Sequence, residues 1–270
     1  MPLHRVPCRG DGKTKNHQEA KQSQMKGQRF VVCADSHGDQ QDEETANALF
    51  AFCKDYKPEI RVHAGDAWDF RNLRKGASDD EKAASLVDDW EMGVEFIRRF
   101  MDGGKANHFL RGNHDERMWH FAHNASGLLR DYASDGIKRI ERVMKQANTS
   151  MLPYDSRHGV LRLGHLKVIH GFFAGMGAAR RHSIAYGNCI FGHTHATDSA
   201  PVEHIDGPAE ARGIGCCCKI DMAYNQHSVG KLRHDNAWCY GVLFPDGTYQ
   251  LFQAKKINGS FYAAENVKKY

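Results

Sequence analysis

The sequence predicts an α/β fold in which a parallel or mixed sheet is covered by helices. Apolar, β-rich runs alternate with stretches of helical periodicity between residues 29 and 115, and this alternation is typical of βαβ units. Polar residues follow the apolar runs directly, and ligands bind at the carboxyl ends of the strands in such sheets. Asp35, Asp66 and Asn113 lie at three of the predicted strand ends.

The predicted elements follow one another along the chain without an internal repeat. Short β-rich runs supply the strands, and apolar positions at helical spacing supply the helices. The predicted strands are 29–35, 59–66, 106–115 and 188–195, with hairpins over 159–171 (Gly164 at its turn) and 237–254 (turn Pro245-Asp246-Gly247). The predicted helices are 42–56, 78–101 with Ser78 as its cap, 116–148 with a break near Asn124–Gly127, and 175–187. Because no Pro/Gly-rich linker interrupts them, residues 28–270 are predicted to form one domain.

The composition excludes several classes of protein. Of the 270 residues, 41% are apolar and 26% are charged, as in ordinary soluble globular proteins. No stretch approaches the ~18 consecutive apolar residues of a membrane helix, so no membrane contact is expected. No apolar run follows the basic residues of the N-terminus, so a secretory signal is not predicted. We therefore expect a cytoplasmic protein, and the sequence does not indicate its oligomeric state.

The eight cysteines also indicate a reducing compartment such as the cytoplasm. They contain no C-x-x-C pair, and three of them are consecutive at Cys216, Cys217 and Cys218. This spacing suits neither a disulfide framework nor a zinc ribbon. Reduced thiols in a reducing compartment fit best, and we interpret the three consecutive cysteines as buried and inert.

The net charge of the chain is concentrated at its N-terminus. Residues 1–27 contain six Lys/Arg and two Asp/Glu, so they alone account for the formal net charge of +4. Residues 28–270 are electrically neutral in sum. We predict that residues 1–27 are a flexible basic tail, which either contacts nucleic acid or is simply solvated.

Five polar blocks follow the predicted strands and carry the candidate chemistry. Asp, Asn and neutral His supply the oxygen and nitrogen ligands that first-row divalent metals prefer. Alternate residues of an extended segment point to the same side, so a pair such as Asp35 and His37 presents two side chains at one place. The blocks are Asp35-Ser36-His37, Gly65-Asp66-Ala67-Trp68-Asp69, Gly112-Asn113-His114-Asp115, His170-Gly171 and Gly192-His193-Thr194-His195.

Taken in order, D-x-H, G-D-x-x-D, G-N-H-D, H-G and G-H-x-H resemble the motifs of the calcineurin-like metallophosphoesterases. The motifs span residues 35–195, more than half of the chain. The resemblance implies a β-sandwich flanked by helices in four α/β/β/α layers, with two divalent metals at the strand ends. It places one metal on Asp35, His37, Asp66 and His195, and the other on Asn113, His170 and His193, with Asp66 bridging.

The resemblance also implies a mechanism. Two metals in such a site activate water and stabilise an in-line displacement at phosphorus, so we expect a bridging hydroxide as the nucleophile. His114 would protonate the leaving group, and Asp69 would orient its ring and favour the imidazolium form. We interpret Asp115 as a cap for the following helix. Manganese is the metal we expect first, and iron, zinc, nickel and cobalt also fit the mixed donors.

One departure from the family pattern bears on the substrate. Protein Ser/Thr phosphatases follow the second Asp of G-D-x-x-D with Arg-Gly, whereas this chain has Phe70 and then Arg71. The motifs look more like the bacterial and phage phosphodiesterase branch. Arg71 and Arg180 are candidates for binding substrate phosphate, since guanidinium groups bind phosphate bidentately, although both also suit a solvated surface.

The sequence therefore predicts a metal-dependent phosphodiesterase acting on a nucleic acid or a nucleotide. A phosphomonoesterase acting on a small molecule or a phosphoprotein is the alternative. A non-catalytic metal-binding scaffold is a third possibility, although the chain keeps all seven predicted ligands and the acid. Outside the motifs, His63 is interpreted as a core histidine, and Trp119 and Phe121 suit either base stacking or core packing.

Overall fold

The computed structural model describes residues 27–203, 205, 207–221, 229–263 and 268–269. Residues 1–26, which make up nearly all of the predicted basic tail, lie outside the described residues. The described strands are β1 Gln28–Cys33, β2 Ile60–His63, β3 Ala106–Leu110, β4 Thr149–Leu152, β5 Leu161–Leu163, β6 Leu166–Ile169, β7 Cys189–Phe191, β8 Ser199–Val202, β9 Ala209–Gly213, β10 Ala237–Leu243, β11 Tyr249–Ile257, β12 Ser260–Ala263 and β13 Lys268–Lys269. The described α-helices are α1 Glu43–Tyr56, α2 Asp79–Ala83, α3 Leu86–Met101, α4 Glu116–Asn124, α5 Gly127–Gln146 and α6 Ala178–Tyr186.

The strands form two mixed sheets. The larger sheet has eight strands in the order β13-β12-β11-β10-β1-β2-β3-β4, and the smaller has five in the order β5-β6-β7-β9-β8. Strands β1, β2, β3 and β4 run parallel to one another, as do β6, β7 and β9. The parallel strands therefore end at common edges, where the loops that follow them meet.

The two sheets pack face to face, and helices cover their outer faces. Successive side chains of a strand point to opposite faces, so Val31 packs in the cluster with the helices while Val32 packs in the cluster between the sheets. That inner cluster also contains Val168 and Ile190 from the smaller sheet. On the far side, Ala179 of α6 packs against the smaller sheet. The α/β fold and the layered arrangement predicted from the sequence are confirmed.

The predicted helix over 78–101 is wrong as one continuous element. It is divided into α2 and α3, because Ala84 is extended (φ −60°, ψ 146°) and Ser85 begins a second helix. The side chain of Ser78 accepts a hydrogen bond from the backbone N–H of Glu81, as a capping box requires. Ser85 accepts one from the N–H of Asp88 in the same way. Residues 78–101 therefore contain two N-caps, Ser78 and Ser85, and the sequence pattern indicates only Ser78.

Other sequence predictions agree with the structure. The break between the helices of 116–148 lies between Asn124 and Gly127. The hairpins over 159–171 and 237–254 are the antiparallel pairs β5–β6 and β10–β11. Strands β4, β8, β9, β12 and β13 lie outside the strands that the sequence predicts. None of the described helices combines the length and the apolar character that crossing a membrane requires.

Candidate metal centre

All seven predicted metal ligands lie in loops at the ends of parallel strands. In the larger sheet, β1 leads into Asp35 and His37, β2 into Asp66 and β3 into Asn113. In the smaller sheet, β6 leads into His170, and β7 leads into His193 and His195. Because the sheets pack face to face, the two sets of loops meet. The structure thus brings all seven side chains together, and their binding of metal stays a prediction.

The backbone of the predicted ligands is strained. Five of the seven have a left-handed conformation, with φ between 51° and 67°: Asp35, His37, Asp66, His193 and His195. Such a conformation costs a non-glycine residue about 1–3 kcal/mol, and it persists only where the surrounding structure imposes it. In this site it turns the chain sharply in the loops that follow β1, β2 and β7.

Glycines leave room for the two buried carboxylates. A Cβ atom added to Gly112 would lie 2.1 Å from Oδ1 of Asp66, and one added to Gly192 would lie 2.6 Å from Oδ2 of Asp35. Any larger residue at either position would displace a carboxylate. The glycines of G-N-H-D and G-H-x-H are therefore required by close packing against the site.

The first group of predicted ligands surrounds the Nε2 atom of His37. This atom lies 3.9 Å from Oδ1 of Asp35, 3.9 Å from Oδ2 of Asp66 and 3.1 Å from Nε2 of His195. Nε2 of His195 is in turn 3.5 Å from Oδ1 of Asp35. These four residues are the ones that the family resemblance assigns to one metal.

The second group surrounds the amide oxygen of Asn113. Oδ1 of Asn113 lies 3.0 Å from Nε2 of His170 and 2.7 Å from Nδ1 of His193. Nε2 of His170 is also 3.3 Å from Oδ2 of Asp66. The same Asp66 oxygen therefore borders both groups, as a bridging carboxylate must. Its other oxygen, Oδ1, accepts a hydrogen bond of 2.8 Å from the backbone N–H of His114.

The hydrogen bonds of the histidines direct lone pairs into the site. Nδ1 of His170 lies 2.8 Å from the carbonyl oxygen of Ala64, which can only accept, so Nδ1 carries the hydrogen and Nε2 carries the lone pair. Nδ1 of His37 faces Oδ1 of Asp69 at 3.2 Å in the same manner. Metal-binding histidines are held by partners of this kind. The donor set therefore fits divalent metal ions.

The electrostatics of the site also favour cations. Asp35 and Asp66 are fully buried, and neither has a Lys or Arg ion-pair partner among the described residues. Burial alone would lower the pKa of His37 and His170, but the surrounding carboxylates raise both to about 9. The raised pKa values of the two histidines indicate a strongly negative electrostatic potential among the predicted ligands. Bound divalent ions would offset it.

The carboxylate of Asp69 contacts two histidines with one oxygen. Its Oδ1 lies 2.7 Å from Nδ1 of His114, the predicted acid, and 3.2 Å from Nδ1 of His37. The rings of His37 and His114 meet edge to face, with centroids 4.6 Å apart. The structure therefore agrees with the predicted pairing of Asp69 and His114, and it adds a contact to a predicted metal ligand that the sequence did not indicate.

The pKa of His114 shifts in the direction opposite to that expected from a carboxylate partner. Burial lowers it below its usual range, although Asp66 and Asp69 oppose the shift. The desolvation of the ring outweighs its neighbours' charge, because a buried imidazole loses its hydration when it becomes cationic.

The interpretation of Asp115 as a helix cap is wrong. Asp115 stands at the N-cap position of α4, but its side chain makes no capping hydrogen bond. Instead Oδ2 accepts from the backbone N–H groups of Gly112 and Asp66, at 2.8 Å each. Oδ1 accepts from those of Ala67 and Trp68, at 3.1 and 3.2 Å. Asp115 thus joins the loop after β3 to the loop after β2.

A second buried carboxylate, absent from the sequence prediction, has a similar role. Asp89 of α3 accepts hydrogen bonds from the backbone N–H groups of Asp69 and Phe70, at 3.0 and 2.7 Å. Burial raises its pKa to about 6. No sequence signal pointed toward it, because Asp89 falls in the interior of the helix predicted over 78–101.

The two predicted substrate residues differ in their surroundings. The guanidinium of Arg71 donates to Oδ1 of Asp39 at 2.6 Å and to Oδ2 of Asp69 at 3.3 Å, so carboxylates already engage it. Arg180 is exposed on α6, and the described residues include no hydrogen bond or ion pair that brings it to the predicted ligands.

The cysteines and His63 are buried. All seven described cysteines are free thiols, and Cys216, Cys217 and Cys218 are fully buried. Sγ of Cys218 lies 3.8 Å from Nδ1 of His195, so this thiol borders the site. His63 is fully buried and contacts Oγ of Ser36 through Nε2 at 3.0 Å. Burial lowers its pKa to about 3, which keeps the ring neutral.

Comparison with known proteins identifies the family of the chain. The family model for calcineurin-like phosphoesterases matches residues 28–197. No curated protein sequence matches the chain. Among solved structures, Vps29 from Cryptosporidium parvum is 11% identical with a TM-score of 0.44, and the match covers 90% of this chain and 98% of that chain. The Escherichia coli phosphoesterase YfcE is 13% identical with a TM-score of 0.37, covering 89% and 96%. The Pseudomonas putida nuclease MPE is 11% identical with a TM-score of 0.35, covering 83% and 87%.

The chain therefore belongs to the calcineurin-like phosphoesterase family, as the order of its motifs indicated. It is a hydrolase acting on phosphoric esters. The family typically depends on two metal ions, and the clustered Asp and His side chains of this chain are able to hold them.

Replacing Asp115 by asparagine should destabilise the fold by about 2–4 kcal/mol, because hydrogen bonds to a charged group contribute about 1.5–3 kcal/mol. An amide group keeps one acceptor oxygen and places an NH2 group against two backbone N–H donors. Urea denaturation at pH 8 measures the difference. Asp135→Asn, at an exposed position of α5, is the matched control and should stay within about 0.5 kcal/mol of the parent protein. Equal stability of the two variants would contradict the joining role.

Replacing Asp66 by asparagine should weaken the binding of both metal ions, because Oδ2 of Asp66 borders both groups of predicted ligands. Elemental analysis after saturating reconstitution and gel filtration should find two metal ions in the parent protein and fewer in the variant. A parent protein that holds no more than one ion would refute the two-metal assignment, and so would an Asp66→Asn variant with the parent's occupancy.

Proposed function

We propose that this protein hydrolyses a phosphodiester of a nucleic acid or a nucleotide, with His114 as the general acid. The observation that carries the proposal is the position of the His114–Asp69 pair. Nδ1 of His114 lies 2.7 Å from Oδ1 of Asp69, and its ring is in contact with that of His37, a predicted metal ligand. An acid held at that place is able to reach the leaving group of an ester bound at the metals.

The predicted ligands would hold two divalent ions. Asp35, His37, Asp66 and His195 form one position, and Asn113, His170 and His193 form the other together with Asp66. The mixed oxygen and nitrogen donors favour manganese first, with iron, zinc, nickel or cobalt as substitutes. When bound, the two ions would supply an activated water and positive charge for an in-line displacement at phosphorus.

His114 and Asp69 would handle the proton of the leaving group. Asp69 accepts the hydrogen of Nδ1, so the ring orientation is set and Nε2 is left to carry the transferable proton. The leaving alkoxide of a diester takes up that proton as its bond to phosphorus breaks. Asp69 acts as a positioning residue, because it touches His114 and His37 and has no contact with the ester in this mechanism.

The surroundings of Arg71 support a diester over a monoester. A terminal phosphate carries one more negative charge than a diester, and arginine is the side chain that binds such groups bidentately. Arg71 follows the motif that positions Asp69, but its guanidinium is engaged by Asp39 and Asp69. A second charge on the substrate would therefore gain little from it. A phosphomonoesterase activity is the alternative that the experiment below distinguishes.

We extend the proposal to the compartment and the domain organisation of the protein. Free, buried thiols suit a reducing compartment, and we therefore assign the activity to the cytoplasm. We further propose that residues 28–270 act as one domain, since β1 begins at Gln28 and β10–β12 complete the sheet that carries three of the strand-end loops.

Replacing His114 by alanine should lower kcat/KM by ~10²–10⁴-fold on a diester with an alkyl-alcohol leaving group, because general acid catalysis contributes that much. The loss should be much smaller for an activated phenol, which leaves readily as an anion. Steady-state kinetics on both substrates, with metal content checked by elemental analysis, make the test.

Two further measurements complete that experiment. Asp69→Asn should show the same dependence on the leaving group in weaker form, with some loss of metal because Asp69 also contacts His37. The parent protein should prefer a diester to the matching monoester. An equal loss on both leaving groups would remove His114 as the acid, and a monoester preference would establish the phosphomonoesterase instead.

Deleting residues 1–27 should leave hydrolysis of a small generic ester unchanged, because every motif begins at or after Asp35. Any contribution of the tail should appear only on polyanionic substrates and should fade as salt is added. Comparing the full chain with residues 28–270 at low and high salt measures it. Lost activity on the small ester would show that the tail belongs to the fold or the site.

A further inference from the structure

A cleft of about 620 Å³ begins at the predicted metal centre and is not explained by the chemistry described above. Asn113, a predicted ligand, lies at one end of it. The first two turns of α4 line the cleft, together with the residues at the end of the 3₁₀ turn Arg71–Leu73 and just after it. The volume falls within the range of about 300–1,000 Å³ typical of pockets that bind small molecules.

Aromatic rings line the cleft. Phe121 on α4 is half-buried, with part of its ring packed against the core below. Tyr154 is held firmly, since its ring stacks on Phe172 with centroids 5.0 Å apart and its hydroxyl donates to the carbonyl oxygen of Gly171 at 3.2 Å. Both rings are fixed before any ligand arrives. Binding a planar ring in the cleft would therefore cost little conformational entropy of Phe121 and Tyr154.

Basic side chains line the cleft beside the aromatic rings. Lys75 is exposed at the rim, and Arg117 belongs to α4. The one carboxylate of the lining, Glu116, lies 3.2 Å from the guanidinium of Arg111, which offsets its charge. Basic side chains interleaved with aromatic rings are the combination that binds nucleotides, through phosphate and base respectively.

Arg117 places the cleft on the leaving-group side of the site. Its Nη1 donates to the carbonyl oxygen of Asp69 at 2.6 Å, and Nδ1 of His114 lies 3.0 Å from that same oxygen. The cleft therefore adjoins the proposed general acid. A leaving group protonated by His114 would therefore depart beside this cleft, whose lining includes Phe121 and Tyr154.

We propose that this cleft binds the base of the nucleoside that leaves from the scissile phosphodiester. The inference rests on the proposed function and narrows its substrate to diesters whose leaving group is a nucleoside. A base in a duplex is stacked and paired, and a ring face is available to Phe121 only after unstacking. The substrate is therefore a single strand or a free nucleotide diester.

The test uses two substrates that differ only in the base. One is a dinucleoside monophosphate, and the other is the same compound with an abasic sugar as the leaving group. Both release a sugar alkoxide, so the demand on His114 is equal. The parent protein should show a kcat/KM at least about ten-fold higher on the first, and Phe121→Leu should remove most of that ratio, since stacking on one aromatic side chain is typically worth a factor of about five or more. The abasic diester, whose leaving group has no planar ring, should be hydrolysed equally by both proteins, and methyl p-nitrophenyl phosphate reports whether the metal-loaded protein is active.

A binding measurement keeps the test decisive if Phe121→Leu alters folding. Lys75→Gln changes an exposed side chain, and it should raise the Kd of adenosine 5′-monophosphate about three-fold at low salt, with the difference fading as salt is added. Lys138→Gln, on the exposed face of α5, is the matched control and should have no effect. An unchanged Kd in Lys75→Gln would contradict a nucleotide in the cleft.

The outcomes separate this inference from the proposed function. Equal rates on the base-bearing and abasic substrates, with methyl p-nitrophenyl phosphate still hydrolysed, would overturn the cleft assignment and leave the phosphodiesterase intact. Failure of the metal-loaded protein to hydrolyse any of the three diesters would overturn both.

Discussion

The carboxylate of Asp115 is the contact on which the geometry of the site depends. It accepts four backbone N–H groups, three from the loop that carries Asp66 and one from the loop that carries Asn113. Those two loops end different strands, and the backbone N–H of His114 joins them again through Oδ1 of Asp66. Removing the Asp115 carboxylate would take away the four contacts through which one side chain holds both loops. Backbone amides are rigid donors, so the relative position of the loops follows closely from the position of one side chain.

The charge of the site explains why so many of its neighbours are histidines. Two buried carboxylates without a lysine or arginine partner would be costly to desolvate. An imidazole tolerates burial when neutral and takes up a proton beside the carboxylates, as the pKa values of about 9 for His37 and His170 show. A lysine at either position would neutralise the same carboxylates permanently and would occupy the space of a cation. Histidine leaves the negative potential available to a metal ion. Asp69 contacts His37 and His114 with the same oxygen, so it links the predicted ligands to the predicted acid.

The parts of the fold and of the site that depend on local sequence patterns could be predicted from the sequence. The strand–helix alternation predicted the layers, and five motifs at strand ends predicted which side chains would meet, because parallel strands end at common edges. The roles of Asp89 and Asp115 could not be predicted in this way. Each accepts amides from residues about 20 to 50 positions away. Asp115 stands beside a helix start and has a simpler local explanation as a cap, whereas Asp89 falls in the interior of the helix predicted over 78–101. The division of the helix over 78–101 was missed for a related reason: Ser85 reads as an ordinary helical residue until Ala84 is seen to be extended.

The left-handed conformations at the site set a limit on how the protein can change. Glycine adopts such a conformation at little cost, whereas Asp35, His37, Asp66, His193 and His195 each adopt it under strain. A substitution to glycine at any of these positions would relax the backbone, and at Asp35 or Asp66 it would also remove a buried charge. Selection for stability alone therefore acts against the metal centre. Glycine at any of these five positions would remove a predicted ligand and relax the backbone in one step, so the strained residues persist only while the reaction is useful to the cell.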